Sequence, residues 1–300
     1  MDLSLALRAF IRTVEKGSVT GAARDLDISQ PAVTKHLRNL ERHVNARLLE
    51  RSARAVRPTA QGQALFEVSR AALASIDAAL EGVQRDSGRI EGTLRLFAPA
   101  CIGAQCLHPL LLEFQRAHPG IGADLVLDGR TVDLVYENFD LALRYGRPEG
   151  TDIVARRIGT VRRVLVASPA YLAAAGPIDT PEELAARPLV ATAGALSERD
   201  QLMLIKDGHI QELAVRLLLR TNVAQVLVSS LKAGHGPGPV QTLLVPDELA
   251  RGELVRILPD YEARPSELFI SFPSTRFLRP AVRAFIDFIV PRLKAVDGID

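Results

Sequence analysis

A chain of 300 residues, with 47% hydrophobic and 24% charged residues, is ordinary for a globular protein and suits about two or three folding units. Two cysteines, Cys101 and Cys106, give no disulfide framework, the six histidines form no pair with zinc-site spacing, and no apolar run approaches the ~20 residues that span a bilayer. Charge is unevenly placed: residues 1–60 hold 11 Lys/Arg against 6 Asp/Glu, and the remainder 26 against 29. A basic head on a mildly acidic body fits a polyanionic partner such as nucleic acid, or only a solvated basic face. The opening residues carry Asp2, Arg8, Arg12 and Glu15 among apolar ones, unlike a signal peptide, so a cytoplasmic protein is expected.

The head reads as short helices. Leu3, Leu7, Phe10, Ile11 and Val14 recur at helical spacing, and Gly17 stops that helix. Ser18 can cap the next helix, which turns its inner face through Ala22, Ala23 and Leu26. Asp27 and Ile28 make a turn. Ser29 is a second N-cap, and Pro31 sits in a first turn, where a missing N–H does no harm. Val33, Leu37, Leu40 and Val44 then form one stripe. Residues 47–57 are basic and suggest a β wing closed by Pro58. Thr59 can cap a long helix whose apolar positions Leu65, Val68, Ala72, Ile76, Ala79 and Val83 run through about Arg85. So small a head cannot cover that stripe, and a second chain is its natural cover. Residues 86–92 read as a hinge.

From Thr93 strands and helices alternate. Strands are predicted at 94–97, 123–127, 141–145, 163–167, 188–191 and 268–272. Helices are predicted at 109–116, 131–138, 181–186, 223–232 and 279–293. Such alternation argues for α/β layers with a largely parallel sheet, in two lobes.

Two capped helices joined by a tight turn have helix-turn-helix spacing. The second helix turns Gln30, Ala32, Thr34, Lys35 and Arg38 outward near its N-terminus, the end that reaches base edges. Gln can pair with adenine and Lys with guanine, and the Ala and Thr methyls can meet thymine. Arg38 suits phosphate, and Arg51 and Arg54 in the wing suit phosphate or a minor groove. A plain helical bundle with a polar surface would show a similar pattern.

The stretch from Phe10 to Gly62 strongly resembles the LysR-type transcriptional regulators. The run Ala22-Ala23, Leu26, Ser29-Gln30-Pro31-Ala32-Val33, Leu37, Leu40-Glu41 and Leu48 to Arg51, with Arg57-Pro58-Thr59 and Gly62, carries the likeness. It continues in Val132 to Val135, Phe139 to Arg144, Val164 to Pro169, Tyr171-Leu172, Arg279-Pro280 and Val282 to Phe285. The resemblance implies an α plus α/β multidomain fold. A winged helix-turn-helix (1–58) and a linker or dimerisation helix with hinge (59–91) precede a two-lobed, periplasmic-binding-protein-like α/β effector domain (92–300). Lobe I would take about 92–161 and 268–300, and lobe II about 162–267. Gln30, Pro31, Ala32, Thr34 and Lys35 would face bases, and Arg54 would enter a minor groove. Ser-Arg is usual where this chain has Thr34-Lys35, so a shifted operator sequence is expected.

The resemblance also implies an effector between the lobes. Ligands of open α/β sheets gather beyond strand C-termini. That selects Ala100, Cys101, Ile102 and Gly103, then Tyr145 and Arg147, then Thr192 and Asn222 as effector-site candidates. The family's Ala-Gly-x-Gly turn appears here as AGHGPGP, stiffened by Pro237 and Pro239, which adds Pro237 and Gly238. With Arg147 as a carboxylate grip, an anionic metabolite is expected. The other expected partners are double-stranded promoter or operator DNA, a second copy forming a homodimer and then a homotetramer, and RNA polymerase. No metal, cofactor or membrane is expected. An enzyme would need a nucleophile motif, a phosphate loop or a dinucleotide fingerprint, and none is present. A transport solute-binding protein would lack the basic head.

Overall fold

The computed structural model describes residues 2–51, 56–83, 90–150, 152–274 and 278–300. The chain forms two compact units. One is Met1–Arg89 with Val135–Asn138 and Thr275–Arg283. The other is Ile90–Leu134, Phe139–Ser274 and Ala284–Asp300.

The first unit opens with helices α1 (Leu3–Lys16), α2 (Val19–Asp25) and α3 (Gln30–His43). Each starts where the sequence supplies a capping oxygen: Asp2, Ser18 and Ser29 each accept a backbone N–H from the first turn. Gly17, at φ 60°, ends α1 in the left-handed conformation. Of the predicted inner positions, Phe10, Ile11, Ala22, Ala23, Val33, Leu37 and Leu40 enter one core, Leu7, Val14 and Leu26 pack half-buried against it, and Leu3 is exposed. Ala6 and Ala9 join the core as well, and Leu48, Leu49, Phe66 and Leu73 close it. Val44 departs from the expected stripe. It follows the last residue of α3 and is 39% exposed.

The wing is the antiparallel pair β1 (Leu49–Arg51) and β2 (Val56–Pro58). Helix α4 (Ala60–Val83) follows. Its apolar residues divide between two faces. Of the predicted stripe, Leu65 packs half-buried against the core, while Val68 and Ile76 are exposed at 71 and 51%. Outside that stripe Phe66 and Leu73 enter the core, and Leu80 is exposed at 59%.

The second unit is built on a mixed sheet. Its strands are β3 (Gly92–Ala98), β4 (Ile121–Leu127), β5 (Leu141–Tyr145), β6 (Ile153–Ala167), β7 (Pro188–Thr192), β8 (Leu202–Lys206), β9 (His209–Leu213), β10 (Arg216–Thr221), β11 (Gly238–Gln241), β12 (Val255–Arg256) and β13 (Glu262–Pro273). Its helices are α5 (Ala100–Ile102), continuing through a π-helical turn at Gly103–Leu107 into α6 (His108–Ala117), then α7 (Pro169–Ala175), α8 (Pro181–Ala185), α9 (Ala224–Lys232), α10 (Pro246–Ala250) and α11 (Pro280–Lys294) from Ala284 on.

The principal order is β11-β6-β13-β5-β3-β4, and β10 pairs with β7 in a separate two-stranded sheet. The expected largely parallel sheet is therefore corrected to a mixed one. β3 pairs in parallel with β4 and β5, and β7 with β10, but β6 and β13 run antiparallel along most of their length. These two long strands pass through both lobes. In the second lobe β6 is buried on both faces. Val164 and Val166 join one apolar cluster while Leu165 and Ala167 join another, the period-two alternation of a strand covered twice.

The helix predicted at 131–138 is instead an irregular turn segment. Val132 and Leu134 are both buried beside Phe97 and Phe139, and residues two apart cannot share one helical face.

Candidate DNA-reading face and effector site

In the helix-turn-helix, Asp27 takes φ 51° and the Ile28 N–H reaches the Ala23 carbonyl at 3.1 Å, which closes the turn between α2 and α3. The Ser29 hydroxyl accepts the Ala32 N–H at 3.3 Å. With α3 held by Val33, Leu37 and Leu40, its opposite face stays open. Gln30, Pro31, Lys35 and Arg38 are exposed there, and Ala32 and Thr34 are half-buried. Thr34 donates to the Gln30 carbonyl at 3.0 Å. The Gln30 side-chain oxygen lies 3.4 Å from the hydroxyl of Thr20, an exposed residue of α2 that sequence reasoning did not select. Among the described residues neither Lys35 nor Arg38 enters an ion pair, so both charges remain available to an outside anion.

The entry to the wing is fixed from below. The Glu41 carboxylate accepts the Leu48 and Leu49 N–H groups at 2.9 and 3.3 Å. Thr59 caps α4 through the Gly62 N–H at 3.0 Å and donates to the Arg47 carbonyl at 2.7 Å. A side chain at Gly62 would meet the Leu48 carbonyl oxygen at 2.0 Å, so only glycine fits. Glu41, Thr59 and Gly62 are thus framework residues that set the wing against α3. Of the two wing arginines, Arg51 has its backbone in β1, and Arg54 lies outside the described residues.

In the second unit, one cluster gathers side chains from both lobes. Cys101 follows β3, and its Sγ lies 3.1 Å from the Tyr145 hydroxyl at the end of β5. That hydroxyl donates to the Gln241 Oε1 of β11 at 3.1 Å. Arg163, in the middle of β6 and only 4% exposed, stands opposite Gln241 in register and donates Nη1–H to the Arg264 carbonyl at 2.5 Å. Burial pushes the Tyr145 phenol well above its ordinary range, reinforced by Cys101. Its hydrogen bond to Gln241 and the charge of Arg163 pull the other way. Burial also lowers the Arg163 guanidinium from its usual value. The phenol and the amide beside that guanidinium are therefore uncharged at neutral pH.

Sequence reasoning found Cys101 and Tyr145 but not Arg163 or Gln241. Ala100 and Thr192 are half-buried at the ends of their strands, and Arg147 and Asn222 are exposed. Ile102 and Gly103 are buried, with the Ile102 side chain at 0% exposure. Pro237 and Gly238 are also buried. The Pro237 carbonyl accepts the Val190 N–H at 3.0 Å, and a Cβ at Gly238 would lie 2.0 Å from the Val190 carbonyl oxygen. Pro239 lacks an N–H, which β11 tolerates as the terminal strand of the sheet order.

A winged helix-turn-helix joined to a two-lobed α/β domain defines a transcription regulator with a sensing domain. Residues 5–63 match the bacterial regulatory helix-turn-helix protein of the lysR family, and residues 87–294 match the LysR substrate binding domain. The chain belongs to the LysR family of DNA-binding, effector-responsive transcription regulators, which are not enzymes. It is 30% identical over 281 residues to the regulator PtxR of Pseudomonas aeruginosa, covering 94% of this chain and 90% of PtxR. It is 28% identical to an uncharacterized HTH-type regulator of Haemophilus influenzae, covering 93% and 96%. Among solved structures, the Vibrio cholerae virulence activator AphB superposes with a TM-score of 0.62 at 25% identity, over 97% of this chain and 99% of AphB. CrgA of Neisseria meningitidis gives 0.61 at 25%, over 96% and 98%. Among the described residues no helix is long and apolar enough to cross a membrane.

Proposed function

We propose that residues 1–58 bind operator DNA, 59–91 link and dimerise, and 92–300 receive the effector. The observation that carries the first part is the open N-terminal end of α3, where Gln30, Lys35 and Arg38 project from a helix whose other face is locked in the core. Gln30, Pro31, Ala32, Thr34 and Lys35 meet base edges, Arg38 meets phosphate, and Thr20 orients the Gln30 amide. Arg51 and Arg54 reach the backbone or minor groove from the wing. The exposed positions Val68, Ala72, Ile76 and Leu80, each four apart on α4, support a homodimer through that helix, with a homotetramer as the larger assembly. A protein that acts on promoter DNA is expected in the cytoplasm, with RNA polymerase as a partner. The effector is a small anion held at the cluster of Cys101, Tyr145, Gln241 and Arg163. Ala100, Thr192, Asn222, Arg147, Ile102, Gly103, Pro237 and Gly238 are the further candidates for contact with it.

The test is Gln30→Ala. It should cost about 1–3 kcal/mol on the cognate site and much less on random DNA, as for a lost base contact. Equal losses on both DNAs in anisotropy titrations at one salt concentration would show that Gln30 does not read sequence.

A further inference from the structure

Arg163 is a buried cation without a counter-ion. It is 4% exposed, and among the described residues no carboxylate comes within ion-pair distance of it. Its one recorded hydrogen bond goes to a neutral acceptor, the Arg264 carbonyl. That carbonyl is free because β13 bulges at this point. Ala263 pairs with Arg163 and Ser266 with Val161, so three steps on β13 oppose two on β6. Pro265, inside the bulge, has no N–H to restore the ladder. Around the remaining donors stand neutral polar groups: the Tyr145 phenol, the Gln241 amide and, bonded to the phenol, the Cys101 thiol. Just after β7 stands Gly194, where a Cβ would lie in ordinary contact with Nη2 at 3.4 Å, so this turn borders the guanidinium.

Leaving a charge buried and unpaired is costly, and a partner within hydrogen-bond reach relieves the cost. A neutral ligand would leave the cation uncompensated. A dianion would exceed the one buried charge, because the other cation that acts on Arg163, the Arg264 guanidinium, is exposed to solvent. The planar fork of donors matches a carboxylate, which takes two parallel N–H bonds.

We propose that Arg163 is the anchor for a small monocarboxylate, received by the guanidinium beside Tyr145 and Gln241. The proposal rests on the reading that this unit senses a small molecule at that cluster. It assigns the ligand's charge and headgroup to one residue.

The experiment uses the full chain and matched probes: benzoate against benzamide, acetate against acetamide, and inorganic phosphate. Each is titrated calorimetrically to about 10 mM, enough to reveal a millimolar site. At least one carboxylate should bind, with its amide and phosphate failing. Arg163→Lys, which keeps charge but loses the fork, should weaken that binding roughly tenfold. Arg163→Gln should remove it. If Arg163→Gln does not fold, the lysine variant carries the test. Binding of the amides as tightly as the acids, binding of phosphate alone, no binding of either acid, or unchanged affinity in a folded variant each overturns the anchor. The operator footprint is read in the same titrations. An amide that binds and shifts the footprint overturns the anchor and leaves sensing intact. A carboxylate that binds through Arg163 without moving the footprint supports the anchor and counts against sensing at this cluster.

Discussion

Gly238 holds β11 against β7, and Gly238→Ala measures how much of the second lobe depends on that approach. The new methyl would lie 2.0 Å from the Val190 carbonyl oxygen and 3.3 Å from the Leu231 Cδ2. Ordinary contact begins near 3.4 Å, so one backbone must retreat by about 1.4 Å. Neither neighbour is the far end of a flexible exposed side chain, because Leu231 is itself fully buried. The retreat stretches the adjacent bond from the Val190 N–H to the Pro237 carbonyl, now 3.0 Å. Losing a buried hydrogen bond costs about 1–3 kcal/mol, and overpacking costs about 1–3 kcal/mol. The same movement relieves one and breaks the other, so the two do not simply add. The expected loss is about 2–4 kcal/mol, confined to the second unit. Hydrogen exchange localises it: amides of β7 and β11 should lose protection while those of α1 to α3 keep theirs. Unchanged protection in β7 and β11, with effector response abolished, would refute the packing argument. Gly238 would then be a ligand contact.

Two further outcomes follow from exposure and burial. Ile76→Arg places a charge in the middle of the uncovered α4 stripe and should dissociate the dimer, seen as a fall in sedimentation coefficient. An undisturbed dimer removes that stripe from the interface. Burial first, and Cys101 second, push the Cys106 thiol up to about 11, so at mildly alkaline pH little of it is thiolate. Iodoacetamide should then modify Cys101 well before Cys106, by mass spectrometry, with Cys106 labelling rising only toward its raised pKa. Equal rates at mildly alkaline pH would contradict the burial.

The helix-turn-helix was legible because its signals are local. Ser18, Ser29 and Thr59 cap within one turn of where they stand, and Phe10, Leu37 and Leu40 mark one face by spacing alone. The hairpin β8–β9 was equally local but went unread. Asp207-Gly208, with φ 49° and 77°, is the two-residue turn that favours a hairpin, between Leu202–Lys206 and His209–Leu213. The functional cluster was legible only in part. Cys101 lies just past β3 and Tyr145 ends β5, where a general rule looks for ligands. Arg163 sits inside a strand, at the start of the run 163–167 that is buried on both faces. Nothing in the sequence says that the strand opposite will bulge at Arg264 and Pro265 and accept its hydrogen bond. Gln241 is brought to Tyr145 by pairing across 96 positions, a contact that no local pattern encodes. The mixed sheet escaped prediction for the same reason, since strand direction depends on which distant segments pair.

The position of the cluster also sets how strongly a ligand there can act. A small molecule alters promoter output only by binding one arrangement of the protein better than another. The Tyr145–Gln241 bond joins β5 to β11, and Arg163 stands in β6 between β11 and β13. One such neutral bond is worth about 0.5–1.5 kcal/mol net. That corresponds to a preference of roughly two- to tenfold between arrangements, too little to throw a regulator from almost fully off to almost fully on, which takes about 5.5 kcal/mol. A single exchanged hydrogen bond therefore cannot be the whole switch. An anion that satisfies the buried guanidinium adds a charge-assisted contact of about 1.5–3 kcal/mol, and favours one arrangement only if that arrangement also brings the Tyr145 side onto it. Together the two give about 2–4.5 kcal/mol, enough for a coupling of about 1–3 kcal/mol and short of a full switch, and both arise in one cluster, where Gln241 accepts from Tyr145 and stands opposite Arg163 in register.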